Sequence, residues 1–384
     1  MPGPNGRRPK IITELDRFWM RVTEGLQVSE LWGQFKRDAK VGFQFYRRDY
    51  ESGAAAEQRK SEGFLRRVHE IVWAILSKLS PARRVLLLIG TVLLLFPSGG
   101  FQFHKGANDI EFTTLNFQFW GGALLFILLM LEIADRVVMK RDLEIARDIQ
   151  SWLLPAVPPV IPGLAIAFAT RPANTVAGDY YDAFARKTTS PSEDGFLLAV
   201  ADVAGKSIPA ALLMATFQAS LKTLSATPCT LLELIVAMNR YACCNSQGGL
   251  RFTTAFVAEF GPVTRVLRYV NAGHNHPILW RSSGQIERLS AGGLPLGIQP
   301  DAPYAAAEVV LASGDWLVIF TDGLVEAENQ RAEAYGEDRL VGVLESGVAG
   351  TPELLLQRMI AEVNTFVGTT PQHDDITCML IKAE

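Results

Sequence analysis

FLLAVADVAGKSIPAALLMA, residues 196–215, holds the junction on which the fold depends. Its first seven residues, FLLAVAD (196–202), form an apolar run of strand length that ends on a carboxylate. From Ala210 an apolar helical pattern begins and continues to Leu224. Similar short apolar runs follow at TTAFVAEF (253–260), LRYVNAG (267–273), WLVIFTDG (316–323) and ITCMLIKA (376–383), with Gly-rich turns between them. Leu231 to Ala242 and Pro352 to Phe366 read as two further helices. Hairpins with few helices between them predict antiparallel sheets with helices outside, an α+β layering.

The aspartates of this half stand at unusual places. Asp202 ends one apolar strand and Asp322 ends another, just before Gly323. Asp179 follows Gly178 in a turn, and Asp374 and Asp375 sit together before the last strand. Asp before Gly is a common turn former. A carboxylate at the end of a buried strand is nevertheless costly unless it is paired or bound to a metal. Several such placements without Lys or Arg beside them point to one oxygen-rich site for a hard ion such as Mg²⁺ or Mn²⁺.

Around these residues lie ARDIQSWLLP (146–155), AGDYYD (177–182), ADVAGKSIPAALLMA (201–215), NAGHNHP (271–277), GGLPLG (292–297), SGDWLVIFTDGLVEAEN (313–329), YGEDRL (335–340) and HDDIT (373–377). In this order the segments resemble the PPM-type (type 2C-like) serine/threonine phosphatases, specifically their bacterial SpoIIE/RsbU-like branch. The resemblance implies an αββα sandwich of two antiparallel sheets flanked by helices over residues 161–384. It implies two Mn²⁺ or Mg²⁺ ions held by Asp179, Asp202, the Val203 carbonyl, Asp322, Asp374 and Asp375, with Asp375 the weaker member. Asp202 and Asp322 would carry catalysis, with a metal-bound water attacking the phosphorus in line. The implied substrate is a phosphorylated regulatory protein of the anti-sigma-factor-antagonist type. Three positions depart from the family pattern: Ala177 replaces a Gly, Ser207 replaces a Gly, and His276 stands where Pro is frequent. Ala177 would strain its turn if the turn needs positive φ. No residue identifies itself as general acid. His274 and His373 are the nearest candidates, His274 reading rather as structural, and Arg171 is a candidate phosphate contact.

Length and composition frame the rest. The 384 residues suggest two or three units, and 48% hydrophobic content with 20% charged excludes a disordered or collagen-like chain. Four cysteines (Cys229, Cys243, Cys244, Cys378) exclude a disulfide scaffold and read as reduced thiols. Residues 1–80 hold 15 Lys/Arg against 10 Asp/Glu, whereas residues 151–384 hold 15 against 23. An acidic half of that kind is a poor nucleic-acid binder, because such binding neutralises phosphates with Lys and Arg.

Residues 1–10 lack the apolar core of a signal peptide. Residues 11–80 read as amphipathic helix, with Ile12, Leu15, Phe18 and Trp19 at helical spacing, suited to an anionic membrane surface or to a small helical bundle. Val85–Phe103 and Phe112–Leu131 carry no Asp, Glu, Lys or Arg, and predict a two-helix transmembrane hairpin over 81–135. Arg83, Arg84, Arg136, Lys140 and Arg141 flank it, which would place both ends, and the catalytic domain, on the cytoplasmic side of the cell membrane. A charged linker helix follows over Glu132–Leu154, with Met139, Leu143, Ala146 and Leu153 at heptad-like positions and Gln150 in the seam. It suits a homodimer contact or an amphipathic helix packed on the next domain. Pro155, Pro158, Pro159 and Pro162 then close the 136–160 linker.

Two other readings stand beside the membrane-anchored phosphatase. One is a non-catalytic membrane signalling module whose phosphatase-like domain binds a partner. The other is a soluble enzyme whose apolar stretches form a dimer core.

Overall fold

The structure is a computed structural model that describes residues 76, 79–96, 116–187, 195–246, 251–347 and 350–384. The helix expected over 11–80 and the residues between the two apolar stretches lie almost wholly outside the described residues. By contacts the chain divides into residues 1–135 and 136–384.

In the first unit, α1 (Pro81–Leu95) and the N-terminal part of α2 (Phe117–Leu153) pack antiparallel. Arg83 at the start of α1 pairs with Asp135 at 2.6 Å and Glu132 at 3.3 Å, while Phe96 at its far end meets the Phe117 ring at 6.4 Å. Gly121 permits the close approach, since a Cβ there would stand 2.6 Å from the Leu94 nitrogen. The expected transmembrane hairpin is corrected at this point. Among the described residues no helix is long and apolar enough to cross a membrane. α1 has 15 residues and ends at Leu95, ahead of Pro97. In α2 charge begins at Glu132, so the uncharged part is equally short. Fifteen helical residues cover about 22 Å, against a hydrocarbon core of about 30 Å.

The second unit is a four-layered sandwich. One sheet has the order β1-β11-β10-β6-β7 and the other β2-β3-β4-β5-β8, with β9 beside β5. β1 is Leu164–Arg171, β2 Tyr180–Arg186, β3 Gly195–Val203, β4 Thr253–Gly261 and β5 Val266–Ala272. β6 is Ile278–Trp280, β7 Ile286–Arg288, β8 Gly292–Gly293, β9 Ala307–Val310, β10 Trp316–Phe320 and β11 Ile376–Ala383. All pairs are antiparallel except β5 with β8.

Period-2 alternation sends Leu198 and Val200 of β3 and Ile319 and Ile381 of the other sheet into a shared core between the sheets. Leu197, Ala199 and Ala201 point the other way, onto α3 (Ile208–Ser225) and α4 (Leu231–Asn245). Val318, Phe320 and Leu380 face α6 (Glu337–Gly347) and α7 (Pro352–Val367). Strands buried on both faces explain why their sequences read as continuous apolar runs. Thr230 opens α4 with a reciprocal capping box to Glu233, and the Thr351 hydroxyl caps α7.

The predicted strands and the three predicted helices of this unit are present, within a few residues. β1, β2, β6, β7, β8, β9 and α6 are not among the predicted elements. The linker helix is longer than expected, running unbroken from Phe117. Its expected seam is turned to another use: Gln150 is buried and its amide bonds both backbone groups of Ala177 (Nε2 to O 2.7 Å; N to Oε1 3.0 Å). The exposed apolar stripe of that helix is instead Val138, Ile145, Ile149 and Trp152. The four cysteines are free, Cys378 buried and Cys244 exposed.

Candidate active site

The candidate residues gather at one end of the sandwich because three strand-end segments converge there. β3 delivers Asp202 and Val203, β10 runs into Asp322 of the short helix α5 (Asp322–Val325), and the segment before β11 brings Asp374 and Asp375. The turn before β2 adds Asp179. Two glycines allow the close fit. A Cβ at Gly323 would collide with the Asp375 carbonyl, and one at Gly178 would stand 3.2 Å from the Val203 carbonyl.

The electrostatics follow from this crowding. Burial, and then repulsion from Asp202, hold the Asp179 carboxyl well above the usual carboxylate range. Burial, with Asp322 and Asp374 next, pushes Asp202 up to about 7, and Asp179 lies within hydrogen-bonding reach of it. Asp322 is raised by burial and by Asp374. Four separate segments therefore bring acids into one field that disfavours their ionisation.

The individual partners differ. Asp179 accepts from the Thr321 hydroxyl at 2.9 Å. Asp374 accepts from the Asp375 N–H at 3.0 Å on one oxygen and pairs with the Lys206 ammonium at 2.9 Å on the other. Lys206 also donates to the His373 carbonyl at 2.5 Å, tying the β3–α3 loop to the β11 approach. Asp375 accepts backbone N–H groups on both oxygens, from Ala173 at 2.7 Å and Gly178 at 2.6 Å. It is a brace for the turn that carries Asp179 rather than a free ligand.

The donor set fits a hard divalent cation in chemistry, being all oxygen, anionic and mutually repelling. The expected closed set of Asp179, Asp202, Val203, Asp322, Asp374 and Asp375 is not found as such. Among the described residues no three or more His, Cys, Asp or Glu side chains stand close enough together to hold a metal ion. Lys206 and the two backbone amides take up oxygens that a metal would need.

His274 is buried, bonded at Nδ1 to the Thr254 hydroxyl (3.1 Å), and pushed down to about 4 by burial, so its ring is neutral. That fits a structural role. His373 lines a cleft of about 370 Å³ beside Asp374, and Arg171 lines the same cleft. Ala177 has no positive φ, so its substitution costs no strain. The strained departure is Ser207, at φ 63° and ψ −144°. Lys206, Thr321 and Gln150 were not read as site residues. All three lie inside the quoted motifs, but nothing in their spacing marks a long-range partner.

These features define a type 2C-like phosphatase fold. The SiaA PP2C domain of Pseudomonas aeruginosa superposes with a TM-score of 0.55 at 20% identity, covering 65% of this chain and 99% of that one. The RsbU and RsbW domains of a Mycobacterium tuberculosis protein give 0.50 at 23% identity, over 60% of this chain and 63% of that one. The profile of the Stage II sporulation protein E (SpoIIE) family matches residues 192–384, and the chain belongs to that family. It is 26% identical over 280 residues to protein IcfG of Synechocystis sp., spanning 65% of this chain and 42% of that protein. It is 27% identical over 248 residues to the phosphoserine phosphatase RsbU of Bacillus subtilis, spanning 64% of this chain and 70% of that protein.

Proposed function

We propose that the chain is a metal-dependent protein serine/threonine phosphatase acting on a phosphorylated regulator of the anti-sigma-factor-antagonist type. The observation that carries the reading is the convergence of Asp179, Asp202, Asp322 and Asp374 at one sandwich end, in a field that raises the first three. Similarity to RsbU, by name a phosphoserine phosphatase, supports the substrate class. Asp202, Asp322, Asp374 and the Val203 carbonyl would hold Mn²⁺ or Mg²⁺, with Asp179 beside them. Bound divalent cations supply charge neutralisation at the phosphoryl oxygens and acidify water for the attack. Asp179 and Asp202, both raised by burial and by neighbouring carboxylates, would have to give up their protons for a cation to bind there. Thr321 keeps the Asp179 carboxylate oriented through its hydroxyl. Asp375 keeps the Asp179 turn in place through the Gly178 amide.

The experiment is hydrolysis of a phosphoserine peptide by the full chain, with and without Mn²⁺. Mn²⁺-dependent phosphate release is the expected result. No release under any metal sinks the reading and favours the partner-binding module. For location, the reading is that the catalytic unit is cytoplasmic, with the helical pair lying against a membrane face. Its support is the exposed Leu88, Leu95, Phe119 and Phe126 and the Arg/Lys flanks. Quantitative recovery of the full chain in the supernatant of lysed cells at low salt counts against it. Pairing of two chains would use the Val138–Ile145–Ile149–Trp152 stripe, because Gln150 is already bound within the chain.

A further inference from the structure

The cleft beside Asp374 is not explained by the chemistry at the aspartates. It opens at Gly323 and Asp374, is floored by Val363 and Val367 of α7 and by Ile376, and carries Glu326 and Glu328 as well as Lys206 in its lining, so an acidic occupant is accepted only where Arg171 stands. All three floor side chains are buried. Arg171, the last residue of β1, stands on its wall. The Gln372 amide bonds both the Arg171 carbonyl (2.7 Å) and the Asp374 carbonyl (2.6 Å), so the Arg171 end of the wall is fixed to the site end. The guanidinium is itself anchored, donating to the Asn364 side chain of α7.

Asn364 is neutral, and among the described residues no carboxylate lies within ion-pair distance of Arg171. Among the described residues of this unit some cations pair with carboxylates, as Lys206 does with Asp374 and Arg288 with Glu337, while others, Arg265, Arg339 and Arg358 among them, donate to backbone carbonyls instead. A guanidinium held by Asn364 on the wall of this cleft presents free N–H donors in the fork geometry that suits a carboxylate. The cleft adjoins the candidate site through Gly323 and Asp374, so a polypeptide whose phosphorylated residue reaches the aspartates would extend into it.

We propose that this cleft seats the polypeptide flanking the phosphorylated residue, and that Arg171 selects an acidic side chain there. The proposal rests on the phosphatase reading. An extended segment runs along the cleft and turns its carboxylate to Arg171. Arg171 is thus a specificity residue, distinct from the aspartates that carry the reaction.

The test uses the full chain with Mn²⁺ and two phosphoserine peptides that differ only in Asp or Lys at the second and third positions on both sides. The wild type is expected to favour the Asp peptide by about 3- to 5-fold in kcat/KM, the size of one partly exposed charge pair. R171E should reverse the order and R171K should preserve it, with thermal melting confirming that each variant folds. Equal rates in the wild type, or an order unchanged in R171E, overturn the proposal. If neither peptide is hydrolysed, the phosphatase reading has failed. Fluorescence anisotropy of labelled peptides then decides the cleft separately: tighter binding of the Asp peptide, reversed by R171E, upholds it, and equal binding overturns it.

Discussion

At the strand ends of the sandwich, carboxylates are buried, whereas on α1 and the first half of α2, large apolar side chains face outward. Asp179 is 2% exposed and Leu95 is 77% exposed. Each departs from ordinary burial, in opposite senses, and the two departures carry different information. A buried carboxylate is costly one group at a time, and the cost is relieved by a proton, a hydrogen bond or a cation. The chemistry of its partner is therefore readable from the residue. Exposed apolar area costs in proportion to surface and is relieved by any apolar surface. It reports the polarity of a partner and nothing finer.

The largest expected effect comes from removing the acids. D202A and D322A should each lower Mn²⁺-dependent hydrolysis of nitrophenyl phosphate by far more than the roughly 100-fold typical of losing an outer partner of a metal site. Thermal melting should show both variants folded. Activity within about tenfold of wild type in either would remove the site from the reaction.

The acids themselves divide, and stability separates them. Asp375 accepts two backbone N–H groups, so D375A leaves two donors unpaired at about 1–3 kcal/mol each where they are buried. Its melting temperature should fall, with or without metal. Asp202 should behave oppositely. Its folded carboxyl is raised to about 7, against about 3.9 for an unfolded Asp. The folded state then binds more protons between those values, so this contribution to stability is full below about pH 4 and is lost as pH rises through about 7. In metal-free protein D202N should therefore melt higher than wild type at pH 8, with the gap closing toward pH 4. Saturating Mn²⁺ should reverse the order at pH 8, since the cation favours the ionised carboxylate only in the wild type. A D202N that melts lower than metal-free wild type at pH 8 would show that Asp202, like Asp375, is a brace.

Ser207 tests the same loop from its backbone. Its φ of 63° with ψ of −144° lies where only glycine is at ease. S207G should stabilise the chain by about 1 kcal/mol, or about 2–4 °C in melting temperature for a unit of this size. No gain would mean that the loop between Asp202 and α3 relaxes in solution.

The sandwich was legible where strands are buried on both faces, because FLLAVAD and WLVIF need no alternation to be recognised. β1 (LAIAFATR) and β2 (YYDAFAR) are no less buried, but Ala and Tyr dilute the apolar signal. The aspartates were legible through their positions at strand ends. Their division of labour was not, since the bonds that set Asp375 apart come from Ala173 and Gly178, nearly two hundred residues away. Gln150 was read as a seam residue for the same reason: heptad spacing marks a helix face, and only the fold shows that this one meets Ala177. The apolar stretches near 85–131 illustrate the converse. An uncharged run counts residues, but helix length is set by where the helix stops, and α1 stops at Leu95.

The smallest expected change in stability falls on that exposed face. Leu88 is 67% exposed and lies about two turns from the end of α1. L88K removes little packing, so the melting temperature should move by no more than about 0.5 kcal/mol would produce. A larger loss would show that Leu88 is covered by other parts of the folded chain. Sedimentation with anionic vesicles reads the other half of the comparison. A Leu side chain transferred from water to an apolar phase contributes about 1.5–3 kcal/mol, so L88K should weaken vesicle binding about tenfold or more if the face lies on a membrane. Because the substituted residue is a cation, the new charge favours an anionic surface, and a fall in binding can only come from the lost apolar contact. Unchanged melting with unchanged vesicle binding would leave a second protein as the apolar partner. D202N in the same assay should leave vesicle binding as it is, since its carboxylate belongs to the other departure from burial.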